Sequence, residues 1–367
     1  MRHRGILSLA GALLAIAFLG LACVDTPGGG GTSGGTVLYA YDNSAQQLIE
    51  WDASTFYDSD SPTTLKIVSS TVFTNKMGNL SWGGLCLDSS NNQLYLVNET
   101  TGVVVRVNNI RGKSGAIASN SPDVVTFTLG SSSDRLASGK FGQAAIDSAT
   151  RTLFVTEKND SGDTRIWVVS SAANQLQDSV VAVSNSITVA GDTACSGVAA
   201  GLGGQVFAYF NSGNAIGIDA INGPRLRKGT SGGFSPGTSV LVGTNTTLGK
   251  YGTLALDSGN NLLFVARHNV DTSTSGIPVL AFSIGKFNGG GFNQAPDFTL
   301  GTAADQGSIR VLAHPGNKEW LAALNSSGEM PANVIHIWKL PRDSGSVAKI
   351  KNITSALFKG IAFDGNN

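Results

Sequence analysis

Short apolar strands separated by polar turns recur along this chain from Val37 to its end. Each unit has an apolar strand, a turn rich in Asp, Gly and Asn, and a second strand of Leu, Phe and Val, which is the pattern of a β-hairpin. Six such segments begin 52 to 59 residues apart. They are WGGLCLDSSNNQLYLV from Trp82, FGQAAIDSATRTLFVT from Phe141, CSGVAAGLGGQVFAYF from Cys195, YGTLALDSGNNLLFVA from Tyr251, GSIRVLAHPGNKEWLAAL from Gly307 and KGIAFDGNN from Lys359. Repeats of this length predict a solenoid or a propeller.

Two further strands follow the hairpins. The third strands are VVVRV at Val103, RIWVV at Arg165, IPVLAFSI at Ile277 and VIHIWKL at Val334. The fourth are VVTFTLG at Val124, SITVAG at Ser186, SVLVG at Ser239, DFTLG at Asp297 and AKIKNI at Ala348. Because four strands per unit make one propeller blade, the sequence predicts an all-β fold, a six-bladed β-propeller with four antiparallel strands in each blade.

The two ends of the chain carry incomplete units. Val37–Asp52 is predicted to form strands two and three of the first blade, and Leu65–Ser70 strand four. We expect Ile361–Asp364 to supply the missing inner strand, so that the C-terminal strand pairs with the N-terminal blade and closes the fold. Such closure removes the exposed sheet edges that promote aggregation. Residues 37–367 are then a single domain.

By arrangement these repeats resemble the six-bladed NHL, YWTD and gluconolactonase-like propellers. The shared feature is a strand ending in apolar–Ala–apolar–Asp, followed after a short turn by a strand ending in Val, as in the units from Phe141 and Tyr251. The resemblance covers nearly the whole body of the chain. Since its motifs are structural, it implies a fold and does not imply a reaction.

The N-terminus has the pattern of an export signal. Basic residues at positions 2–4 precede an apolar run, Ile6–Leu21, that is short and interrupted by Gly. The run ends in Leu19-Gly20-Leu21-Ala22-Cys23, which resembles a bacterial lipobox, although the family pattern prefers Leu where Gly20 stands. We expect residues 1–22 to be a signal peptide and Cys23 the site of lipid attachment. The alternative is an ordinary cleavage site after Ala22 that releases a soluble protein.

The segment after Cys23 suits a tether. Residues 23–36 contain the stretch PGGGGTSGG, which is flexible coil. This N-terminus resembles that of bacterial lipoproteins. By the sorting rule of Gram-negative lipoproteins, Val24 in place of Asp after the Cys favours the outer membrane. We therefore expect an extracytoplasmic protein on the outer membrane or cell surface, or in the periplasm, with the membrane contacted through the lipid only.

Charge and composition exclude one class of partner. Lys+Arg and Asp+Glu number 25 each, so no net basic charge is available to bind a phosphate backbone, and nucleic acid is not an expected partner. Only 14% of residues are charged and Gly reaches 47, as expected for many short strands joined by tight turns.

Aspartates recur where the inner strands end, at Asp88, Asp147, Asp257 and Asp364. A ring of these carboxylates could hold a cation, but a short Asp side chain also accepts backbone N–H groups in the turn that follows. We favour the turn role. Cys86 and Cys195 lie in or beside inner strands and are expected to be two buried thiols. Four of the five tryptophans are expected to pack between blades, with Trp82 as the exception.

The loops between second and third strands are the best candidate binding face, because propeller loops on that side commonly carry the site. Their functional-looking members, each of which is individually explained as a solvated loop residue, are Glu99, Glu157, Asp160, Arg267, His268 and Glu329. Trp82, at the start of an inner strand, is added as a stacking platform. No catalytic residue and no metal ligand is assigned.

The favoured function is a non-catalytic binding module that engages an envelope protein or a glycan. Gluconolactonase-like enzymes hold a divalent cation with Glu, Asn and Asp at the axis, whereas the inner strands here begin with Gly84, Gln143, Gly197, Thr253, Arg310 and Gly360. A lactonase-like hydrolase with Ca²⁺ or Mg²⁺ as its cofactor, or a dehydrogenase, remains the alternative. A structural component of an envelope assembly is a third interpretation.

Overall fold

The structure, a computed structural model, describes sixteen stretches of the chain that all belong to one unit, Gly34–Asn367. They are residues 36–56, 63–77, 80–161, 163–188, 194–201, 205–211, 224–230, 233–242, 251–268, 279–289, 295–300, 309–315, 320–325, 334–340, 349–354 and 358–364. Cys23 and the signal and tether segments predicted around it lie outside these residues. No helix in the described stretches is long and apolar enough to cross a membrane.

Strands in the described residues pair into six sheets. The first contains β1 (Val37–Asp42), β2 (Gln47–Asp52) and β3 (Thr64–Ser70). The second contains β4 (Leu80–Asp88), β5 (Gln93–Asn98) and β6 (Val103–Asn108), with β7 (Gly115–Ile117) joining the first sheet and β8 (Val124–Leu129) the second. The third contains β9 (Lys140–Asp147), β10 (Thr152–Lys158) and β11 (Thr164–Val169), with β12 (Ser179–Val181) joining the second sheet and β13 (Ser186–Thr188) the third.

The later sheets are simple four-stranded meanders within the described residues. The fourth sheet contains β14 (Ala194–Ala200), β15 (Gln205–Asn211), β16 (Pro224–Thr230) and β17 (Gly233–Val242). The fifth contains β18 (Tyr251–Asp257), β19 (Leu262–His268), β20 (Val279–Ser283) and β21 (Phe298–Leu300). The sixth contains β22 (Ile309–Ala313), β23 (Trp320–Asn325), β24 (Val334–Lys339) and β25 (Lys349–Thr354), and the last strand is β26 (Phe358–Asp364).

The C-terminal strand pairs with the N-terminal one. β26 runs antiparallel to β1, with Val37 opposite Asp364 and Ala40 opposite Ile361, and it is the inner member of the first sheet. The first strands of the sheets contact one another in chain order, from β4 through β9, β14, β18 and β22 to β26, which in turn contacts β4.

The core lies between neighbouring sheets. Each sheet presents buried apolar side chains to the next, as with Tyr95 and Trp167 between the second and third sheets and Tyr209 and Leu254 between the fourth and fifth. Alternation along a strand places one set of residues on each face, so both faces of a sheet are covered.

The expected packing of the tryptophans and cysteines is confirmed for the side chains that are described. Trp51, Trp167 and Trp338 are at least 96% buried, and Trp320 packs against the core between the sixth and first sheets. Cys86 and Cys195 are buried, and neither forms a disulfide.

Short helices join some of the strands. The α-helix α1 (Thr71–Lys76) begins at Ser70, whose side chain accepts a hydrogen bond from the N–H of Val72. The 3₁₀ turns are Ala53–Phe56, Ile110–Gly112, Ala172–Asn174, Val183–Asn185 and Ile284–Gly289.

The prediction of four antiparallel strands in each unit is wrong for two sheets. β7 adds to the edge of β3 and β12 adds to the edge of β8, both in parallel. Each comes from the connection between the third and fourth strands of the following sheet. These additions cover the outer edges of the first two sheets, where unpaired backbone groups would otherwise face solvent.

The turn role of the recurring aspartates is confirmed at three positions. Asp88 accepts from the N–H of Asn91 at 3.2 Å, Asp147 from that of Ala149 at 3.0 Å, and Asp257 from that of Asn260 at 3.0 Å. The turn after Asp364 lies outside the described residues, and both carboxylate oxygens of Asp364 bind the guanidinium of Arg111, at 2.5 and 2.6 Å. This ion pair ties the C-terminal strand to the second sheet.

Candidate interaction surface

Three turns from the second and third sheets meet on one side of the molecule. We call this side the top face, meaning the side on which inner strands begin and second strands end. It includes the turn Asn98–Gly102, the turn at residues 158–163, whose Gly162 is outside the described residues, and the loop Ser131–Gly139, which leads into β9. The sequence predicted the first two turns as binding loops.

Hydrogen bonds connect the loop Ser131–Gly139 to both neighbouring sheets. The guanidinium of Arg135 donates to the carbonyl of Thr101 at 2.6 Å. On the other side, the guanidinium of Arg165 in β11 donates to the carbonyl of Asp134. Just after the loop, the N–H of Phe141 donates to the carbonyl of Glu99 at 2.8 Å. The loop is therefore held in one conformation, as a preorganised recognition surface requires.

Glu157 corrects the expectation of a solvated loop residue. It lies in β10 and is fully buried, because the preceding loop covers it. Its carboxylate accepts hydrogen bonds from the N–H of Leu136 at 2.8 Å and from the indole N–H of Trp167 at 2.8 Å. Burial raises the pKa of this carboxyl, although those hydrogen bonds and the charge of Arg165 act in the opposite direction. Glu157 thus supports the surface from beneath.

Two other predicted residues lie on the top face itself. Asp160 is exposed and Glu99 is half-buried, and both occupy turns. The remaining predictions are not tested by the structure. Arg267 and His268 end β19 and Trp82 lies in β4, but their side chains are outside the described part, and Glu329 is wholly outside it.

The exposed part of the top face is mostly polar and of mixed charge. Besides Ala137, its solvent-exposed residues include Ser131, Ser132, Ser133, Ser138, Lys140, Asp160, Ser161 and Asp163. Many are fixed by local hydrogen bonds, such as that from the hydroxyl of Ser131 to Asp134 at 2.6 Å. A rigid surface with hydroxyl, carboxylate and ammonium groups suits a polar partner. The serines carried no motif by which sequence reasoning could have selected them.

Polar side chains on the inner strands form hydrogen bonds between neighbouring sheets. We call these the axial hydrogen bonds. Gln143 in β9 is buried, and its side-chain oxygen accepts from the N–H of Val198 at 3.1 Å and that of Leu254 at 3.2 Å. Its amide also donates to the carbonyl of Leu254 at 2.8 Å. Ser196 and Thr253 likewise bond to backbone groups of the next sheet. These polar side chains join sheets and are not aimed at a ligand.

Further along the same strands lies a cavity of about 120 Å³. It is lined by residues from every inner strand, mostly aliphatic, such as Leu87, Ala145, Ala199 and Ala362. Cys86 and His314 also line it. Among the described residues, no group of three or more His, Cys, Asp or Glu side chains is placed to hold a metal ion.

His314 occupies a position that most other units fill with Asp. Its side chain is fully buried, stacks on Phe264 with ring centroids 5.4 Å apart, and lies 3.4 Å from the carboxylate of Asp257. Burial lowers the pKa of the imidazole to about 4, against the opposing effect of Asp257. Its packing between the fifth and sixth sheets gives His314 a structural role.

Comparison with solved structures identifies the fold. A chain in the crystal structure of a nidogen/laminin complex superposes with a TM-score of 0.55 at 10% identity, over 91% of this chain and 100% of that one. TolB from Acinetobacter baumannii gives 0.51 at 11% identity, over 90% of this chain and 66% of its own length.

This chain is a β-propeller. No protein-family model and no curated protein matches it. At such low identities the likeness shows the fold of the propeller and nothing about its ligand.

Proposed function

We propose that this protein is an exported, lipid-anchored, six-bladed propeller that binds another protein of the cell envelope through its top face, without covalent chemistry. The observation that carries the proposal is that hydrogen bonds hold the loop Ser131–Gly139 between two sheets. Binding residues commonly lie on loops held by a rigid scaffold. A loop already ordered loses little conformational entropy when a partner binds.

The axial hydrogen bonds favour this function over a lactonase-like reaction. Enzymes of that kind would use polar groups around the axis, whereas Gln143, Ser196 and Thr253 bond there to backbone groups of neighbouring sheets. Freeing any of them for a substrate or cation would leave buried backbone groups without partners, which is costly.

The blade count and closure are part of the proposal. They are supported by the division of the described strands into six sheets and by the pairing of β26 with β1. The choice of a protein partner is supported by the ordered, polar top face, whose hydroxyl and charged groups suit the polar part of a protein interface.

In-cell photo-cross-linking tests the binding surface. A photoreactive amino acid at Asp160 should yield a discrete protein adduct. The matched control is Ala149, which is also exposed but precedes β10 at its other end. Equal adducts from both positions, or none from Asp160, would contradict the proposed surface. Adducts with a glycan and not with a protein would show that the partner is a glycan.

Lipid attachment is tested separately. The wild type should incorporate labelled fatty acid and sediment with membranes. The Cys23→Ala variant should do neither, because it lacks the thiol that would carry the lipid. Multiple acyl chains make such anchoring durable. Equal labelling of both proteins, or of neither, would show that Cys23 is not the anchor.

A further inference from the structure

The two oxygens of the Glu157 carboxylate have different partners. Oε1 accepts from the backbone N–H of Leu136, in the loop Ser131–Gly139. Oε2 accepts from Trp167 and lies 3.8 Å from the guanidinium of Arg165. One oxygen therefore holds the loop, and the other is fixed to β11 of its own sheet.

The loop fits closely over the first oxygen. A Cβ atom added at Gly139 would lie 2.5 Å from Oε1, so only glycine allows this approach. The N–H of Gly139 also donates to the carbonyl of Leu136 at 2.8 Å, which folds the loop into a turn above the carboxylate. Glu157 thus bonds to the backbone of the loop from outside it, beneath a turn that fits closely over its carboxylate.

We propose that Glu157 is a proton-dependent latch, which holds the loop Ser131–Gly139 when ionised and releases it when protonated. The functional consequence rests on the proposed function, since the loop is part of the top face. Protonation converts one anionic acceptor oxygen into a neutral O–H, which is a much weaker acceptor for the N–H that faces it and whose own proton needs an acceptor. The charge-assisted hydrogen bond on that oxygen is lost.

The charges around Glu157 decide which bond is lost. Arg165 lies beside Oε2, and its positive charge disfavours a proton on that oxygen, so the proton favours Oε1. The bond to Leu136 is then the one that breaks, and the bond to Trp167 remains. Arg135 and Asp134, the charged residues of the loop, complete the environment. Hydrogen bonds from Ser131 lower the pKa of Asp134, so it stays ionised while Glu157 titrates.

Burial assists the release. Because a buried site favours the neutral carboxyl, Glu157 takes up its proton at a higher pH than an exposed glutamate does. The folded pKa is raised, so protonating this residue does not itself destabilise the fold. We therefore expect a local change of the loop and not global unfolding as the pH falls from neutral.

Hydrogen exchange measured by mass spectrometry, corrected for the intrinsic effect of pH, tests the latch on the full chain. In the wild type, exchange in residues 131–139 should increase about tenfold or more from pH 7.5 to pH 5, as expected for loss of a charge-assisted hydrogen bond. In Glu157→Gln the loop should exchange fast at both pH values. The control Glu50→Gln removes another buried carboxylate, paired with Lys66 in the first sheet, and should keep the wild-type response.

A second variant tests the latch with Glu157 intact. Gly139→Ala should displace the loop from Oε1 at every pH, and exchange in β9 and β11 should show that the sheets remain folded. A wild-type loop that exchanges equally at both pH values would overturn the proposal, as would an unchanged pH response in Glu157→Gln. Neither measurement requires a partner, so the latch and the binding surface can fail independently.

Discussion

Gln143 shows how much one buried side chain contributes to this propeller. Its amide bonds to backbone groups of β14 and β18 from its own position on β9. The sequence places Gln143 correctly in an inner strand, although β9 begins earlier, at Lys140. A single glutamine carries no sign that its partner is Leu254, 111 residues away.

Removing this side chain should destabilise the fold strongly. In Gln143→Ala, the N–H groups of Val198 and Leu254 and one carbonyl lose their partner inside the protein. Each unsatisfied buried group costs about 1–3 kcal/mol, and water entering the space recovers part of that. We expect a loss of about 2–4 kcal/mol in the free energy of unfolding, measured by urea denaturation.

The control is Gln177→Ala. Gln177 also makes three hydrogen bonds, two with Thr126 and one with Asp178, but it is exposed and water can replace them. Its loss should cost less than about 1 kcal/mol. Equal effects of the two substitutions would show that the axial hydrogen bonds are not special.

At the scale of elements, strands were predictable and the contacts between distant elements were not. Apolar alternation and turn residues located the hairpins, including the Asp turns, because both signals are local in sequence. Asp364 has the same repeat position as Asp88, yet it binds Arg111. Arg111 lies 253 residues before Asp364 in the sequence, and only the fold brings the two side chains together.

The predictions for Glu157 and for the edge strands β7 and β12 were wrong for the same reason. The pattern TLFVTEK ends in charged residues, which indicates the end of a strand, and nothing local reports that a loop from the preceding unit buries Glu157. Likewise β7 and β12 are three residues long and pair with a neighbouring sheet. The candidate surface was therefore predicted as a set of loops, without the interactions that give it shape.

For the whole molecule, the decisive element is the last strand. β26 inserts beside β1, and Phe358, Ile361 and Phe363 are at least 96% buried between the sixth and first sheets. Because β26 is far from β1 in sequence and forms the inner strand of the first sheet, that sheet depends on both regions of the chain. The Arg111–Asp364 ion pair adds a contact to the second sheet.

Deleting residues 358–367 should therefore prevent stable folding. Three large apolar side chains contribute about 1.5–3 kcal/mol each when buried, which is comparable to the whole net stability of a typical domain. The deletion also exposes the edge of β1 to intermolecular pairing. We expect the shortened protein to lose its cooperative thermal transition and to aggregate, as measured by circular dichroism and light scattering.

A peptide of residues 355–367, supplied in excess, should restore the transition, because a strand added in trans can make the same contacts. The same peptide with Ile361→Asp and Phe363→Asp should not, since it would bury two carboxylates between sheets. If the shortened protein kept the wild-type midpoint, β26 would be dispensable and closure by the C-terminal strand would be wrong. Restoration by the native peptide alone would show that this strand completes the first sheet and makes the propeller a closed unit.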